Sequence, residues 1–273
     1  MGKRVLTAII FIPVVLLLVQ TGGLPFFIFI AAVALLAQNE FYAVTGDAQI
    51  TPKRLVCLFA GFLILFSAYL RTTDMLLSSQ KGILAFTLTF SLILLILIHL
   101  LHKNIRYFLE SLGVSLAGIF MVPWLASYLI LIRDIAPYGR EYFLMLLLGI
   151  WFVDTAAYVL GTKFGSRKLA KTISPKKTIV GFAAGILAGL AFAFIWELAV
   201  KIEFIRIYDI IVFGLITGVV GQIGDLVESM FKRTNLVKDT GVIFPGHGGA
   251  YDRIDSLIFA APFLYYYLVV FIK

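Results

Sequence analysis

Cysteine is almost absent from this chain: Cys57 is the single one in 273 residues, with three histidines, His99, His102 and His247. One thiol makes no internal disulfide, and Cys57 in its apolar run reads as buried and inert. Scattered histidines and a lone cysteine give a zinc centre no ligand set. Charge is scarce too, at 14% of residues. No polar stretch is long enough for a soluble domain, and there is no internal repeat or low-complexity tail. The apolar runs are continuous and do not alternate, which excludes a transmembrane barrel.

What remains is apolar, 61% of the residues. A soluble domain of this size cannot keep so much apolar surface from water, and runs of roughly 20 residues match the hydrocarbon core of a bilayer. Inside lipid the backbone must satisfy its own hydrogen bonds, so each run is a helix. The expected fold is all-α, a polytopic membrane protein with about nine spans: Val5–Val19, Leu24–Leu36, Leu55–Tyr69, Gly82–Leu101, Leu112–Ile132, Tyr142–Leu160, Val180–Val200, Ile210–Met230 and Leu257–Ile272. Lys3-Arg4 before an apolar stretch has the look of a signal peptide, but the spans that follow favour a retained first helix. Thr21-Gly22-Gly23 joins the first two segments, which leaves open a hairpin that enters only part way.

The seven basic residues Arg71, Lys81, Arg133, Arg140, Lys201, Arg206 and Lys273 fall on one side of this topology, and the other 16 of the 23 Lys and Arg on the opposite side. That asymmetry places the N-terminus in the cytoplasm and the C-terminus outside. Topology and anionic headgroups account for the net charge of +8 without a nucleic-acid partner.

Between the last two spans lies a polar cluster that lipid does not favour. Asp225 and Glu228 are three apart, as are Asp252 and Asp255, so each pair shares a helix face. Gathered carboxylates repel one another unless a cation neutralises them. Oxygen ligands alone suit Mg²⁺ or Mn²⁺, with a monovalent cation beside it left open. Asp225 and Asp252 are the first choices as ligands, with Glu228 and Asp255 completing the set. The same acids can instead pair with Lys232, Arg233 and Arg253 as interfacial anchors. Lys232, Arg233, Lys238 and Arg253 suit phosphate oxygens. The turn Pro245-Gly246-His247-Gly248-Gly249 lets the backbone approach a ligand and form an anion nest, with His247 either in contact or simply capping it. Upstream, the basic loop carries Lys163, Arg167, Lys168, Lys171 and then Ser174-Pro175-Lys176-Lys177-Thr178. It reads as a phosphate clamp or as a positive-inside loop in which Ser174 and Thr178 flank a helix start. Asp154 lies within the preceding span with no local salt bridge, which makes it a site candidate. Gln38, Asn39 and Glu40 read as the boundary of the second span. Gly181, Gly185 and Gly189, at spacing four, permit close helix packing. Together these features point to nucleotide or phosphate chemistry at a membrane surface. A transporter whose cation path is lined by Asp154 and Asp225 is the rival class, but it needs no phosphate-binding loop.

The run Ser229-Met230-Phe231-Lys232-Arg233, then Lys238-Asp239, then Pro245-Gly246-His247-Gly248-Gly249, then Asp252-Arg253-Ile254-Asp255 resembles the signature of the phosphatidate cytidylyltransferases, or CDP-diacylglycerol synthases. Asp154-Thr155-Ala156-Ala157-Tyr158, Gly161, Phe164-Gly165 and Ser174–Thr178 resemble that family as well, whereas Val180 stands where an acid is often found. The resemblance implies an enzyme that joins CTP to phosphatidate, giving CDP-diacylglycerol and pyrophosphate with Mg²⁺. It implies Asp225, Lys232 and Asp252 as catalytic residues. It further implies that substrates meet Asp154, Ser174, Pro175, Lys176, Lys177, Thr178, Arg233, Lys238, Asp239, His247, Gly248, Gly249 and Arg253. A bacterial inner-membrane location and a homodimer are part of the same expectation. The match covers Asp154 to Asp255, so residues 1–110 read as accessory membrane helices, with oligomerisation one role open to them, and residues 111–273 as the catalytic membrane domain. A related CTP-using enzyme acting on another lipid, such as a polyprenol kinase, is the runner-up.

Overall fold

The computed structural model describes residues 2–45, 50–72, 80–101, 106–241 and 248–272. Among these, nine helices make up nearly all of the structure: α1 Gly2–Thr21, α2 Gly23–Thr45, α3 Arg54–Thr72, α4 Gln80–Leu100, α5 Phe108–Arg133, α6 Gly139–Phe164, α7 Ile179–Val200, α8 Ile207–Thr234 and α9 Tyr251–Ile272. Eight, α2 to α9, are long and apolar enough to cross a membrane, while α1 contributes the shorter apolar stretch Phe11–Thr21. The chain is thus an all-α polytopic protein, with one addition that composition did not announce. The basic segment after α6 folds as a short antiparallel hairpin, β1 Lys168–Ala170 against β2 Ser174–Thr178.

Three helices widen locally into π-helical turns, α9 in its last residues, Leu268–Ile272. In α5 this happens over Phe120–Trp124, where Pro123 supplies no N–H to the preceding turn. In α8 it happens over Ile216–Gly221, a stretch with two glycines.

The chain divides into two units, one of Met1–Asp134 with Val237–Arg253, the other of Ile135–Leu236 with Ile254–Lys273. In the first, polar contacts tie apolar helices together. Arg133 at the end of α5 donates from Nε to Val19 O at 2.6 Å and from Nη2 to Gln20 O at 3.1 Å. Those carbonyls lie in the last turn of α1, where carbonyls lack helical partners. Gly22, with φ +62°, closes the turn beneath that guanidinium, where a Cβ would come within 2.7 Å of Nη2. The start of α3 is held from α5: Ser111 Oγ accepts from Thr51 N at 3.1 Å and Ser115 Oγ from Lys53 N at 3.3 Å. The fully buried Gln38 donates to Cys57 O at 2.9 Å, and Tyr42 Oη donates to Ser115 O at 2.6 Å. In hydrocarbon such bonds matter because no water substitutes for them.

The second unit is built on small-residue contacts. A Cβ on Gly189 of α7 would lie 2.5 Å from Gly214 O and 2.9 Å from Gly218 N of α8. The two backbones therefore touch, which is how membrane helices associate when lipid supplies no hydrophobic drive. Gly181 packs in the same way on Ala157 O and Gly161 of α6. Leu187, Ile195 and Leu198 remain exposed along α7, as suits a face that meets acyl chains.

Candidate active site

The hairpin delivers basic side chains to the hollow beside α6, α7 and α8 because its second strand runs directly into α7. Thr178, the last residue of β2, is the N-cap of α7: its Oγ1 accepts from Gly181 N at 3.1 Å and lies 3.4 Å from Gly161 O. A threonine cap satisfies one of the free N–H groups of a helix start. It also fixes the two residues before it, Lys176 and Lys177, at the rim of a cavity of about 580 Å³. Asp154 of α6, Lys168 of β1, and Gln222 and Asp225 of α8 line the same cavity, with Tyr158 and Phe182 as its larger ring surfaces. That volume falls in the roughly 300–1,000 Å³ range of small-molecule sites.

Acids and cations alternate on the α8 wall. Lys177 Nζ lies 2.6 Å from Asp225 Oδ2, and Lys232 Nζ lies 2.6 Å from Glu228 Oε2 one turn further along. Ser229 Oγ is 3.4 Å from Asp225 Oδ1. Asp255 of α9 joins the acids, so that Asp225, Glu228 and Asp255 each offer an oxygen within 4.8 Å of the others. A close approach makes this possible, since a Cβ on Gly224 of α8 would lie 3.1 Å from Asp255 O. Asp255 is repelled by Asp225 and Asp154 and attracted by Lys232. Three carboxylates so close are compatible only with neutralisation. Two lysines supply part of it, and an oxygen-only donor set of this kind fits a divalent cation such as Mg²⁺.

Asp252, expected in the same set, has one of its two oxygens engaged within its own segment. Its Oδ2 accepts from Thr240 N at 3.0 Å, Thr240 Oγ1 at 3.0 Å and Gly249 N at 2.8 Å. Gly248 closes the turn above it at φ +84°, where a Cβ would come 2.7 Å from Oδ2. That oxygen is therefore a structural acceptor for the glycine turn.

The other expected substrate contacts lie on β2, at the end of α8, between α8 and α9 and at the start of α9. Ser174 is half-buried on β2 and Pro175 is exposed there. Arg233 donates from Nε to Ile173 O at 3.3 Å, so it buttresses the hairpin. Lys238, Asp239 and Arg253 are exposed. Pro245, Gly246 and His247 lie outside the described residues. Lys168 of the basic loop lines the cavity as well, and Gln222 is a cavity residue that motif reading did not single out.

Glu40 departs most from expectation. It does not mark a helix boundary at the surface but is buried at 5% exposure. Oε1 accepts from Ala250 N at 2.9 Å, and Oε2 accepts from Tyr251 N at 3.0 Å and from Thr240 Oγ1 at 3.1 Å. The signal available in the sequence was the acid itself, in the midst of Ala37-Gln38-Asn39-Glu40-Phe41-Tyr42.

The profile of the cytidylyltransferase family matches residues 2–271. The phosphatidate cytidylyltransferase of Bacillus subtilis is 37% identical over 272 residues, covering 99% of this chain and 98% of that protein. The protein of that name from Staphylococcus epidermidis is 32% identical over 269 residues, covering 97% of each. The one from Brucella suis is 32% identical over 271 residues, covering 98% and 93%. Nearly the whole chain, from the first helix to the last, thus belongs to the cytidylyltransferase family, among the phosphatidate cytidylyltransferases.

Proposed function

We propose that the chain transfers the cytidylyl group of CTP to phosphatidate, releasing pyrophosphate and forming CDP-diacylglycerol at the inner membrane of a bacterium. The observation that carries this reading is the pairing of Lys177 with Asp225 on the wall of a cavity that also holds Asp154, Lys168 and Lys176. Cations there meet phosphate oxygens, and acids there meet the cation that accompanies a triphosphate.

An oxygen of the lipid phosphate attacks the α-phosphorus of CTP. The new P–O bond forms in line as the bond from the α-phosphorus to the bridging oxygen of pyrophosphate breaks. The nucleophile needs no general base, since a phosphate monoester is largely ionised at neutral pH. Such transfers depend on positioning and on charge neutralisation. Lys168, Lys176 and Lys177 hold phosphate oxygens, and Lys232 balances the acid cluster while Arg233 keeps the hairpin in place. Asp225, Glu228 and Asp255 would hold Mg²⁺, which supplies charge stabilisation to the phosphates when bound. Ser174, Pro175, Thr178, Lys238, Asp239, His247, Gly248, Gly249 and Arg253 complete the proposed substrate contacts, and Asp252 shapes the glycine turn that presents several of them. The acyl chains stay in the bilayer, the N-terminus and both basic loops face the cytoplasm, residues 1–110 act as accessory helices, and the working form is a homodimer.

Purified protein in detergent is incubated with CTP labelled in the cytidine, phosphatidate and Mg²⁺. Pyrophosphate and a cytidine-bearing lipid appear in equal amounts. Label that never enters lipid, or lipid that gains only a γ-phosphate, refutes nucleotidyl transfer.

A further inference from the structure

Resting on the cytidylyl-transfer reading, we infer that Glu40 is a positioning residue: from α2, its buried carboxylate holds the Gly248–Asp252 turn and the first turn of α9 in the arrangement the reaction needs. Both oxygens are used. Oε1 takes the N–H of Ala250, and Oε2 takes the N–H of Tyr251 and the hydroxyl of Thr240. The two N–H groups belong to the start of α9, where the helix dipole also favours an anion. Thr240 couples this acid to a second one: its N–H donates to Asp252 Oδ2 at 3.0 Å, and its single hydroxyl proton is shared between Asp252 Oδ2 at 3.0 Å and Glu40 Oε2 at 3.1 Å.

Two glycines report the same closeness independently. A Cβ on Gly241 would overlap Glu40 Oε1, and a Cβ on Gly249 would overlap Glu40 Oε2 and lie 2.5 Å from Thr240 Oγ1. The backbone is therefore folded directly onto the carboxylate. An acid that only ended a helix would turn to water, whereas a buried anion persists when donors surround it. What it fixes matters to the site, since α9 carries Arg253 and then Asp255 of the acid cluster. A displacement of about 1 Å far from the chemistry can lower a rate about 10²-fold.

The test compares full-length wild type with Glu40→Gln and Thr240→Val in detergent, by steady-state kinetics and amide hydrogen exchange. Glu40→Gln keeps the shape but turns one acceptor into a donor facing N–H groups. It lowers kcat by about 10–100-fold, the usual range for supporting residues, and leaves KM for CTP within about threefold. Exchange rises over Gly248–Tyr251 while α6, α7 and α8 keep wild-type protection. Thr240→Val shifts both readouts the same way by less, and it decides the matter if Glu40→Gln gives no folded protein. Wild-type kcat, unchanged exchange over Gly248–Tyr251, or exchange rising along the whole chain each overturns the inference. A wild type that consumes no CTP sinks the functional reading instead, and the exchange data still show whether Glu40 holds the turn.

Discussion

Asp225→Asn lowers cytidylyl transfer by about 10³-fold while the purified protein stays folded and membrane-inserted. Asparagine keeps the volume and loses the charge. The substitution removes one of the three oxygens that gather within 4.8 Å, and it strips Lys177 of the carboxylate 2.6 Å away. Asp225 is half-exposed to the cavity, so its loss leaves no apolar void and the helix contacts through Gly218 and Gly224 are untouched. Pyrophosphate release measures the rate, and size-exclusion profile and circular dichroism report the fold. A folded Asn variant that keeps more than about a tenth of wild-type turnover contradicts a role for Asp225 in charge stabilisation.

Lys177→Met is expected to lower kcat/KM for CTP by about 10²–10³-fold, with most of the loss appearing before the substrate is saturating. Methionine retains an apolar stem of similar length and removes the ammonium. Lys177→Arg restores little, because a planar fork does not occupy the place of a compact ammonium against one carboxylate oxygen. Lys177 and Asp225 touch, so the double variant is far less impaired than the product of the two single losses. Independent, multiplicative losses would show that the two residues work separately.

The membrane architecture was legible because each span declares itself by length and composition, and the small-residue spacing of Gly181, Gly185 and Gly189 correctly marked tight packing on α6 and α8. Asp154, Lys176, Lys177, Thr178 and Asp225 come to one cavity although they were picked from separate segments. Less was legible where side-chain direction decides. Asp252 and Asp255 have the same spacing as Asp225 and Glu228, but Asp252 sits in the first turn of α9 and is drawn to Thr240 N and Gly249 N, while Asp255 joins the acid cluster. Residue spacing alone does not choose between them. The hairpin was hidden because lysines and a proline are poor strand formers, and only its pairing reveals it. Glu40 was hidden by distance along the chain, since its partners lie 200 to 211 residues away.

The most direct measurement is metal binding without turnover. Mn²⁺ is titrated into purified protein and followed by electron paramagnetic resonance, with Mg²⁺ as competitor, in wild type and in Asp225→Asn, Glu228→Gln and Asp255→Asn. Mn²⁺ binds the wild type, Mg²⁺ displaces it, and each variant binds at least about tenfold more weakly. Wild-type affinity in all three folded variants would show that these carboxylates gather for some purpose other than holding a cation.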